Sequence, residues 1–460
     1  MNLVLPKLAV RAASDVAWRS VALQGWGRLG SAPCQAARPE RLREAAAALA
    51  AQNGRNIIAH GAGRSYGDAA LNGGGAALLT GRLDRMLGFD AASGVLVAEP
   101  GVTIADVIRV FLPQGFLLPT PPGTAFATLG GAVANDVHGK NQHGAGCFGD
   151  HVEWLELMLA DGRTRRVSPT QDPVTFQATI GGIGLTGVVT ALAVRLLRVP
   201  SNAMRVRRQR IGGLDEYLDA FRAARDATWS VGWVDALAGG AALGRGILET
   251  AEHAAGSVAV PAEASRRMPF DAPGFLLNPL SVRAFNAAYW RRVPAGGEER
   301  VVHANRFLFP LDGIGGWNRL YGWSGFHQFQ CLLPEAEAPR GLRRLLETVG
   351  EAGAASFLAV LKWMGREGRG MLSFAQGQAI PGFTLALDIP ARPCSRALLL
   401  RLERVTRDHG GRIYLAKDSA LSPQGMVEMY PRLGAFQEVR ARLDPAGRFS
   451  SDMSRRLGLG

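Results

Sequence analysis

The amino-acid sequence predicts an α+β fold, and three observations carry that prediction. Short apolar and β-branched segments alternate with amphipathic helical segments as far as Pro200, which is typical of sheets layered against helices. The residue composition changes after Pro200, where tryptophan-containing segments and a stretch rich in Ala, Pro and Gly follow. The 460 residues also exceed what one hydrophobic core usually supports, so we expect more than one packed unit.

The first half carries two helix signals and several strand signals. Residues 38–53 are rich in Ala, Leu and Arg and stop before Gly54, so they predict a helix. Thr103 precedes a helical pattern over 103–112 and is expected to cap its first turn. Runs of aliphatic and β-branched residues predict strands at 57–59, 76–79, 95–98, 155–159 and 188–197.

The second half is predicted to be more varied. Amphipathic patterns indicate helices over 214–224 and near 335–350 and 395–409. The stretch 254–300 is predicted to be rich in loops and to be a candidate lid or lipid-contact region. The chain ends in an Arg-rich segment with a helical pattern.

Composition narrows the classes of partner. A formal net charge of +13 and a pI of about 10.4 favour acidic partners, such as a phosphorylated substrate or anionic lipid. The basic residues are mostly dispersed arginines without zinc-finger or helix-turn-helix spacing, so no nucleic-acid partner is expected. Four widely spaced cysteines without a CxxC pair predict neither a metal site nor a disulfide framework.

The start of the chain and its hydropathy bear on location. Residues 1–7 lack the apolar core of a signal peptide, and no stretch approaches the ~20 apolar residues that span a bilayer. We therefore expect a cytoplasmic protein or one peripheral at the inner membrane, with placement in the cell envelope left open.

Three glycine-rich clusters lie at 60–68, 122–141 and 179–189. The first follows a predicted strand, and its backbone N–H groups could cradle a diphosphate. It is not the dinucleotide-binding GxGxxG pattern, because Tyr66 occupies the third glycine position. Each cluster alone could simply be a turn, but three in this order predict a large planar cofactor.

The order of these motifs resembles the vanillyl-alcohol-oxidase/p-cresol-methylhydroxylase (PCMH) superfamily of FAD enzymes. Within it, the chain is similar over nearly its whole length to the decaprenylphosphoryl-ribose oxidases. The motifs that carry the resemblance are Gly-Arg-Ser-Tyr-Gly-Asp (63–68), His-Gly-Lys-Asn (138–141), Gly-Leu-Thr-Gly (184–187), Trp-Asn-Arg (317–319), Ala-Lys-Asp-Ser (416–419), Met-Tyr-Pro-Arg (429–432) and Ser-Asp-Met (451–453).

The resemblance implies a PCMH-type FAD-binding domain over residues 1–200. It further implies a substrate-binding cap domain over 201–411, built on an antiparallel sheet covered by helices, and a C-terminal return to the FAD domain over 412–460. This return is expected to bring Tyr414 and Lys417 to the cofactor.

The resemblance also implies FAD contacts at matching positions. These are Ala59, His60, Gly61, Ala62, Gly63, Arg64, Ser65, Tyr66, Gly67, Asp68, Ala69, Gly123, Thr128, Leu129, Gly130, Gly131, Asn135, Asp136, Val137, His138, Val189 and Tyr414. Many relatives attach FAD covalently through a His, but Arg64 stands at that position and cannot form the bond. Noncovalent FAD is therefore expected, with His60 and His138 as nearby alternatives for attachment.

The catalytic residues implied by the resemblance are Lys417, His138 and Tyr66. A lysine beside a flavin could stabilise the reduced ring by its charge, or act as a base if burial lowered its pKa, and both roles stay open. The expected substrate-binding residues are Gln328, Gln330, Lys362, Trp233, Thr384 and Ala386.

Several of these residues carry a second interpretation. Gln328 and Gln330 alternate in a strand-like segment and share a face, where their amides could bind sugar hydroxyls or form a cross-strand ladder. Lys362 is a candidate partner for phosphate, and Trp233 could contact the substrate or belong to the core. Ala386 and Thr384 replace a Cys and an Asn of the family, so we expect insensitivity to inhibitors that modify that cysteine.

The function implied is oxidation of the 2′-hydroxyl of a polyprenylphosphoryl-β-D-ribose to a 2-keto sugar for cell-envelope arabinan synthesis. A separate NAD(P)H-dependent reductase would complete the epimerisation, and peripheral membrane contact is expected. One alternative is an FAD oxidase of another alditol or lactone. The other is a basic binding protein without catalysis.

Overall fold

The structure is a computed structural model that describes residues 17–51, 54–261, 266–354 and 357–459. Residues 1–7, which were predicted above to lack the apolar core of a signal peptide, lie outside this range. The strands up to residue 200 are β1 (Arg19–Leu23), β2 (Ala32–Ala37), β3 (Ile57–His60), β4 (Ala76–Leu79), β5 (Met86–Asp90), β6 (Val95–Ala98), β7 (Phe116–Leu117), β8 (Val152–Met158), β9 (Thr164–Val167), β10 (Val188–Arg195) and β11 (Leu197–Arg198). The helices are α1 (Leu42–Ala50), α2 (Ile104–Phe111), α3 (Leu129–Ala134), α4 (Gln142–Ala145) and α5 (Pro173–Thr179).

Two sheets organise this first part. One is mixed, with the order β1-β2-β4-β3, and the other is antiparallel, with the order β5-β6-β10-β8-β9. Helix α2 begins where expected, because the Thr103 hydroxyl accepts the N–H of Asp106 at 3.1 Å. It buries one apolar face that includes Val107, Ile108 and Phe111. The strands predicted at 76–79 and 95–98 are confirmed with their bounds.

The rest of the chain builds one large sheet with helices on it. The strands after residue 200 are β12 (Ala203–Ile211), β13 (Trp229–Val234), β14 (Gly246–Ala254), β15 (Arg266–Arg267), β16 (Glu298–His303), β17 (Ile314–Gly315), β18 (Phe326–Pro334), β19 (Ala359–Met364), β20 (Gly382–Pro390) and β21 (Arg412–Ile413); β15 and β17 form a separate parallel pair. The helices after residue 200 are α6 (Leu214–Ala223), α7 (Pro279–Arg291), α8 (Ala304–Leu308), α9 (Ala338–Glu351), α10 (Ser395–Asp408), α11 (Pro423–Met429), α12 (Leu433–Leu443) and α13 (Asp452–Leu457). The α+β class is confirmed.

The large sheet has eight antiparallel strands in the order β16-β12-β14-β13-β19-β20-β18-β21. One face is apolar and is covered by α6, α9 and α10. Phe329 and Leu385 from the strands share a buried cluster with Leu345 and Leu399 from the helices. Because side chains alternate along a strand, the other face is free to carry polar groups.

The prediction that residues 254–300 are rich in loops is wrong for part of that stretch, which contains α7 and begins β16. The Asn278 side chain accepts the N–H groups of Leu280 and Ser281 at 2.9 and 3.0 Å and caps α7, and Pro279 occupies its first turn. The helix buries only Val282 and Asn286, so its apolar periodicity is weak and the Ala, Pro and Gly content obscured it.

The C-terminal segment joins the two parts. Its strand β21 lies at the edge of the large sheet beside β18, and later residues contact the first part. Phe449 bridges to Ile57, and the Arg456 guanidinium of α13 binds Asp68 twice and Asp418 once, each at 2.8 Å. Among the helices of the described ranges, none has the length and apolar character needed to cross a bilayer.

We predict that Arg456→Met lowers the free energy of unfolding by about 2–4 kcal/mol, because two largely buried carboxylates lose their shared cation. Arg340→Met is the control, since Arg340 is 75% exposed in its pair with Glu337, and it should cost less than about 1 kcal/mol. Urea unfolding of the FAD-loaded variants measures both. Equal losses in the two variants would show that the Arg456 cluster does not hold the C-terminal segment.

Candidate active site

The polar face of the large sheet supplies one half of the site. Strands β18, β19 and β20 lie side by side in its interior, and each alternates apolar residues toward the helices with other residues toward the opposite face. The residues on that opposite face are Gln328, Gln330, Val360, Lys362, Thr384, Ala386 and Asp388. The predicted common face of Gln328 and Gln330 is confirmed.

Strand register sets the neighbours on this face. Gln328 lies opposite Asp388, Gln330 opposite Ala386, and Lys362 opposite Thr384. The Gln328 amide donates to the Asp388 carboxylate at 2.5 Å, and the Gln330 amide donates to the Thr384 hydroxyl at 3.1 Å. Part of the expected amide pattern is therefore a cross-strand ladder, the alternative that the sequence left open.

His138 from the first part meets this face. Its Nδ1 lies 3.0 Å from Lys362 Nζ, and its Nε2 lies 3.2 Å from Gln330 Nε2. The imidazole also packs against the stacked pair Phe374 and Tyr414, whose ring centroids lie 5.7 and 5.4 Å from its own and 4.8 Å from each other. This aromatic pair and contacts at both nitrogens fix the orientation of the ring.

Asp136 anchors the segment that carries His138. Its carboxylate accepts the Gly149 N–H at 2.8 Å and the Ser373 hydroxyl, so it ties the first part to the loop after β19. Burial raises the pKa of Asp136 to about 7. This side chain is thus committed to the protein interior, and any contact of residue 136 with a cofactor would come from its backbone.

Tyr66 and Lys417 form a second pair next to this face. The Lys417 Nζ lies 3.9 Å from the centre of the Tyr66 ring, which is a cation–π distance. The Tyr66 backbone N–H donates to the Ala416 carbonyl at 3.2 Å, so the C-terminal segment is pinned to the glycine-rich loop. The Tyr66 ring meets the edge of Phe326 in β18 at 5.5 Å.

The electrostatics of the site are unusual because three of its ionisable groups have pKa values close to neutral. Burial, together with the positive charges of Lys417 and Lys140, lowers the pKa of Lys362 to about 7. Burial lowers the pKa of Lys417 to about 8, and Asp388 opposes that shift. Burial raises the pKa of Asp388 to about 7. Perturbed groups of this kind cluster at functional sites.

The site also contains Asp388, Tyr321 and Lys140, which were not predicted from the sequence. The Tyr321 hydroxyl donates to Asp388 at 3.0 Å, and the Lys140 ammonium bonds to the Phe307 carbonyl. A signal existed for Asp388, because it follows Thr384 and Ala386 at every second position of a strand. No local pattern pointed to Tyr321, whose role depends on a partner 67 residues away.

The glycine-rich loop after β3 has the features of an anion cradle. The backbone N–H groups of residues 62–65 donate to no group within the described part of the chain. Gly63 has a φ of +62°, and successive N–H groups around such a residue form an anion-binding concavity. A Cβ on Gly61 would come within 2.6 Å of the Thr128 hydroxyl, so glycine is required there to keep the loop beside α3.

A polar group on α3 also lacks a protein partner. The Oδ1 atom of Asn135 is buried and accepts no hydrogen bond within the described residues, while its Nδ2 donates to Gly131 at 2.9 Å. The Tyr414 hydroxyl donates to the Asn135 carbonyl at 2.9 Å, as the predicted return of the C-terminus requires. A buried orphan acceptor is rare and suits a bound donor.

Arg64, which was predicted to stand at the flavin-linking position, is packed among aromatic rings. Its guanidinium lies 4.3 Å from the Trp26 ring centre and 5.0 Å from that of Phe126, and its buried Nε has no partner in the described chain. The His60 ring is held by its Nδ1, which contacts the Ala70 carbonyl at 2.9 Å, and its Nε2 lies beside Gly63 of the glycine-rich loop.

Three other predicted FAD contacts belong to the first part of the chain. Gly123 is exposed, Thr128 caps α3, and Val189 lies in β10. The Asp68 carboxylate is committed to Arg456.

Trp233 keeps both of the interpretations that the sequence allowed. It pairs in register with Val360, which pairs with Ala386, so its ring is on the face that carries the site. The indole N–H nevertheless donates to the Phe357 carbonyl at 2.9 Å, and Tyr289 packs against it at 4.7 Å.

Comparisons with known proteins agree with this geometry. A family model described as an FAD binding domain matches residues 35–168. The decaprenylphosphoryl-β-D-ribose oxidase of Mycolicibacterium smegmatis is 34% identical over 95% of this chain and 97% of its own length. The chain belongs to the decaprenylphosphoryl-β-D-ribose oxidase family. As a member of this family, it is an FAD-dependent oxidoreductase.

Two further relatives are oxidases of lower sequence identity. The alditol oxidase of a Streptomyces species is 25% identical over 95% of this chain and 99% of its own length. The xylooligosaccharide oxidase of Thermothelomyces thermophilus is 26% identical over 43% of this chain and 40% of its own length. A family model described as D-arabinono-1,4-lactone oxidase matches residues 389–457.

The residues present fit FAD. The free N–H groups of residues 62–65 suit its diphosphate, and the unpartnered Asn135 Oδ1 suits a ring N–H. Lys417 and Tyr66 lie on the side toward the polar face of the large sheet. The cofactor, when bound, supplies the acceptor for a hydride.

We predict that FAD is released intact when the purified protein is precipitated with acid, because Arg64 cannot form a histidyl–flavin bond. The absorbance of the supernatant and of the washed pellet at the flavin band measures the partition. A yellow pellet would contradict the prediction and would point to His60 or His138 as the point of attachment.

Proposed function

We propose that the protein oxidises the 2′-hydroxyl of a polyprenylphosphoryl-β-D-ribose to a 2-keto sugar. The observation that carries the proposal is the polar face of β18–β20, which holds Lys362 and Gln330 against His138 and lies beside Lys417. Support comes from the oxidase of Mycolicibacterium smegmatis, whose name states this substrate and whose likeness extends over both parts of the chain.

The side chains of the face suit a sugar with several hydroxyl groups. Gln328 and Gln330 present amides that can exchange hydrogen bonds with hydroxyls. Ala386 and Val360 are partly exposed although they lie on interior strands, so there is open space over the middle of the face. The positive charges of Lys362 and Lys417 suit the phosphate or a developing alkoxide.

A second candidate is oxidation of a soluble alditol or lactone. It is favoured by the lactone-oxidase model over residues 389–457 and by the alditol oxidase likeness. The replacement of the family's Cys and Asn by Ala386 and Thr384 also changes the cavity in which the sugar would lie. Both candidates use the same residues for chemistry and differ in the ligand that reduces the flavin.

We predict that anaerobic mixing with polyprenylphosphoryl-β-D-ribose bleaches the oxidised flavin band within seconds. Xylitol and an aldonolactone at equal concentration should reduce it at least about tenfold more slowly. Lys417→Ala should slow bleaching by about 10²-fold or more, because the site loses the cation beside the reacting centre. Stopped-flow absorbance measures all three. Faster reduction by xylitol or the lactone would favour the second candidate, and a colourless protein would favour a binding role.

The product requires a second enzyme. A 2-keto sugar is converted to the arabinose epimer by hydride addition from the opposite face, which regenerates a secondary alcohol. We therefore propose an NAD(P)H-dependent reductase as partner, supplying a cell-envelope arabinan pathway.

We also propose that the protein meets the surface of the inner membrane through the segment 270–323. Large apolar side chains are exposed there: Phe270, Phe275, Leu276, Leu280, Phe285 and Trp323, with exposed fractions of 49–83%. Arg283 and Arg291 are exposed on the same α7 helix. Apolar groups beside basic ones suit the interface of an anionic bilayer, where the lipid substrate resides.

We predict that Phe275→Ser combined with Leu280→Ser weakens binding to vesicles containing phosphatidylglycerol by about tenfold or more, since two exposed apolar anchors are lost. Val427→Ser is the matched control, because Val427 is 65% exposed on α11. Co-sedimentation measures binding. Equal binding of the double variant and the control would contradict the proposed surface.

A further inference from the structure

Lysine is rare in this chain, and its placement is informative. Four of the 52 Lys and Arg residues are lysines. Lys7 lies outside the described residues, and the other three, Lys140, Lys362 and Lys417, belong to one group in which the charges of Lys140 and Lys417 act on Lys362. Arginine stays protonated in proteins, whereas a desolvated lysine can exchange its proton. The site thus concentrates the cations that can titrate.

The contacts of His138 define which of its nitrogens carries hydrogen. Gln330 Nε2 lies 3.1 Å from the Thr384 hydroxyl oxygen and 3.2 Å from His138 Nε2. The amide nitrogen of Gln330 can only donate hydrogen bonds. Because this nitrogen, and not the amide oxygen, is the atom that faces His138, the Nε2 atom of His138 is the acceptor. Burial and the nearby lysines hold the pKa of His138 well below its usual range. The imidazole is therefore neutral and carries its hydrogen on Nδ1.

This tautomer fixes the state of Lys362. The Nδ1–H group points at Lys362 Nζ, 3.0 Å away, and a hydrogen bond there requires a lone pair on the amine. An ammonium group has none, so Lys362 is an unprotonated amine in the resting site. The lowered pKa of Lys362 agrees with this state, and only Cys147 among the groups that act on it opposes the shift. No carboxylate of the described chain forms an ion pair with it.

We propose that His138 and Lys362 form a proton relay for the alcohol oxidation, a proposal that rests on the proposed function. The substrate hydroxyl takes the place of the Gln330 amide at His138 Nε2. The O–H bond breaks and an Nε2–H bond forms, while the Nδ1–H bond breaks and an N–H bond forms on Lys362. The two electrons of the substrate C–H bond leave as hydride to oxidised FAD, and the carbonyl forms.

The three lysines of the site have different roles in the relay. Lys362 ends the step as an ammonium ion and His138 ends it neutral, in the other tautomer. The negative charge of Asp388 opposes the lowering of the Lys417 pKa to about 8, so below that pH Lys417 provides a positive charge near the reacting centre. Burial likewise lowers the pKa of Lys140 to about 8, but Lys140 is bonded to the Phe307 carbonyl and lies over that ring, so its contacts are structural.

The resting state of Lys362 is measured by NMR of the FAD-loaded protein carrying ¹³C,¹⁵N-lysine. With four lysines in the chain the spectrum is sparse, and Lys362→Arg assigns the signal. We expect Lys362 to titrate with a midpoint of about 7 and Lys417 to titrate later, at about 8. A Lys362 signal that remains ammonium up to about pH 9 would overturn the proposal.

The relay itself is tested by the rate of flavin reduction against pH. The wild-type rate should rise through the Lys362 midpoint. Lys362→Arg cannot take up a proton and should be about 10²–10³-fold slower, without that rise. Lys362→Ala should be equally slow but should recover with added methylamine in proportion to its unprotonated fraction. Recovery that is absent, or that follows total methylamine, would mean that Lys362 only positions His138 and would overturn the relay.

The two measurements separate this inference from the proposed function. The lysine titration needs no substrate, so its result stands whichever alcohol reduces the flavin. If the lipid-linked ribose fails to bleach the flavin while Lys362 titrates near neutrality, the proposed substrate is wrong and the relay is tested with the alcohol that does reduce it.

Discussion

The site depends on the contact of the His138 imidazole with the polar face of the large sheet. The ring comes from the first part of the chain, Lys362 and Gln330 come from β19 and β18, and the three meet within 3.2 Å. Each partner alone is an ordinary side chain. Brought together in a partly enclosed space, they place an imidazole between an amine and an amide, and that arrangement requires both parts of the chain to be folded.

The surrounding structure holds this contact in place. Asp136 ties the segment before His138 to the loop after β19, and the stacked rings of Phe374 and Tyr414 pack against the imidazole. The C-terminal segment adds Lys417 and is fastened by Arg456 to Asp418 and Asp68. The same ion pairs that stabilise the fold therefore position the cation next to Tyr66.

The lysine pKa values at the site are shifted because several like charges are buried close together. Lys362 has two other lysines near it and no carboxylate partner, so its protonated form is disfavoured. The negative charge of Asp388 acts on Lys417 and opposes the lowering of its pKa, and the Asp388 carboxylate accepts from Gln328 and Tyr321. One lysine is thus set to take up a proton and another to keep one, although both are the same residue type on neighbouring elements.

The sequence predicted those features whose cause is local. Thr103 followed by an amphipathic pattern predicted α2, and the alternation in β18 predicted a common face for Gln328 and Gln330. Asn278 and Pro279 together are a signal for the start of a helix. The Ala, Pro and Gly content of the surrounding segment favoured loops instead, so α7 was not predicted.

The features that the sequence did not reveal depend on pairing between distant segments. Lys362 and His138 are 224 residues apart, and Asp388 gains its role only when β20 lies in register beside β18. Motif resemblance named Lys362 and His138 as site residues, but strand register decides that they touch and which of their nitrogens face each other.

A crystal structure of the FAD-loaded protein would test the site most directly. We expect the flavin ring between the glycine-rich loop at residues 61–67 and the polar face of β18–β20, with Lys417 in contact with the ring and His138 still bonded to Lys362. A ring bound elsewhere, or a Lys417 side chain turned away from it, would show that these residues do not form the active site.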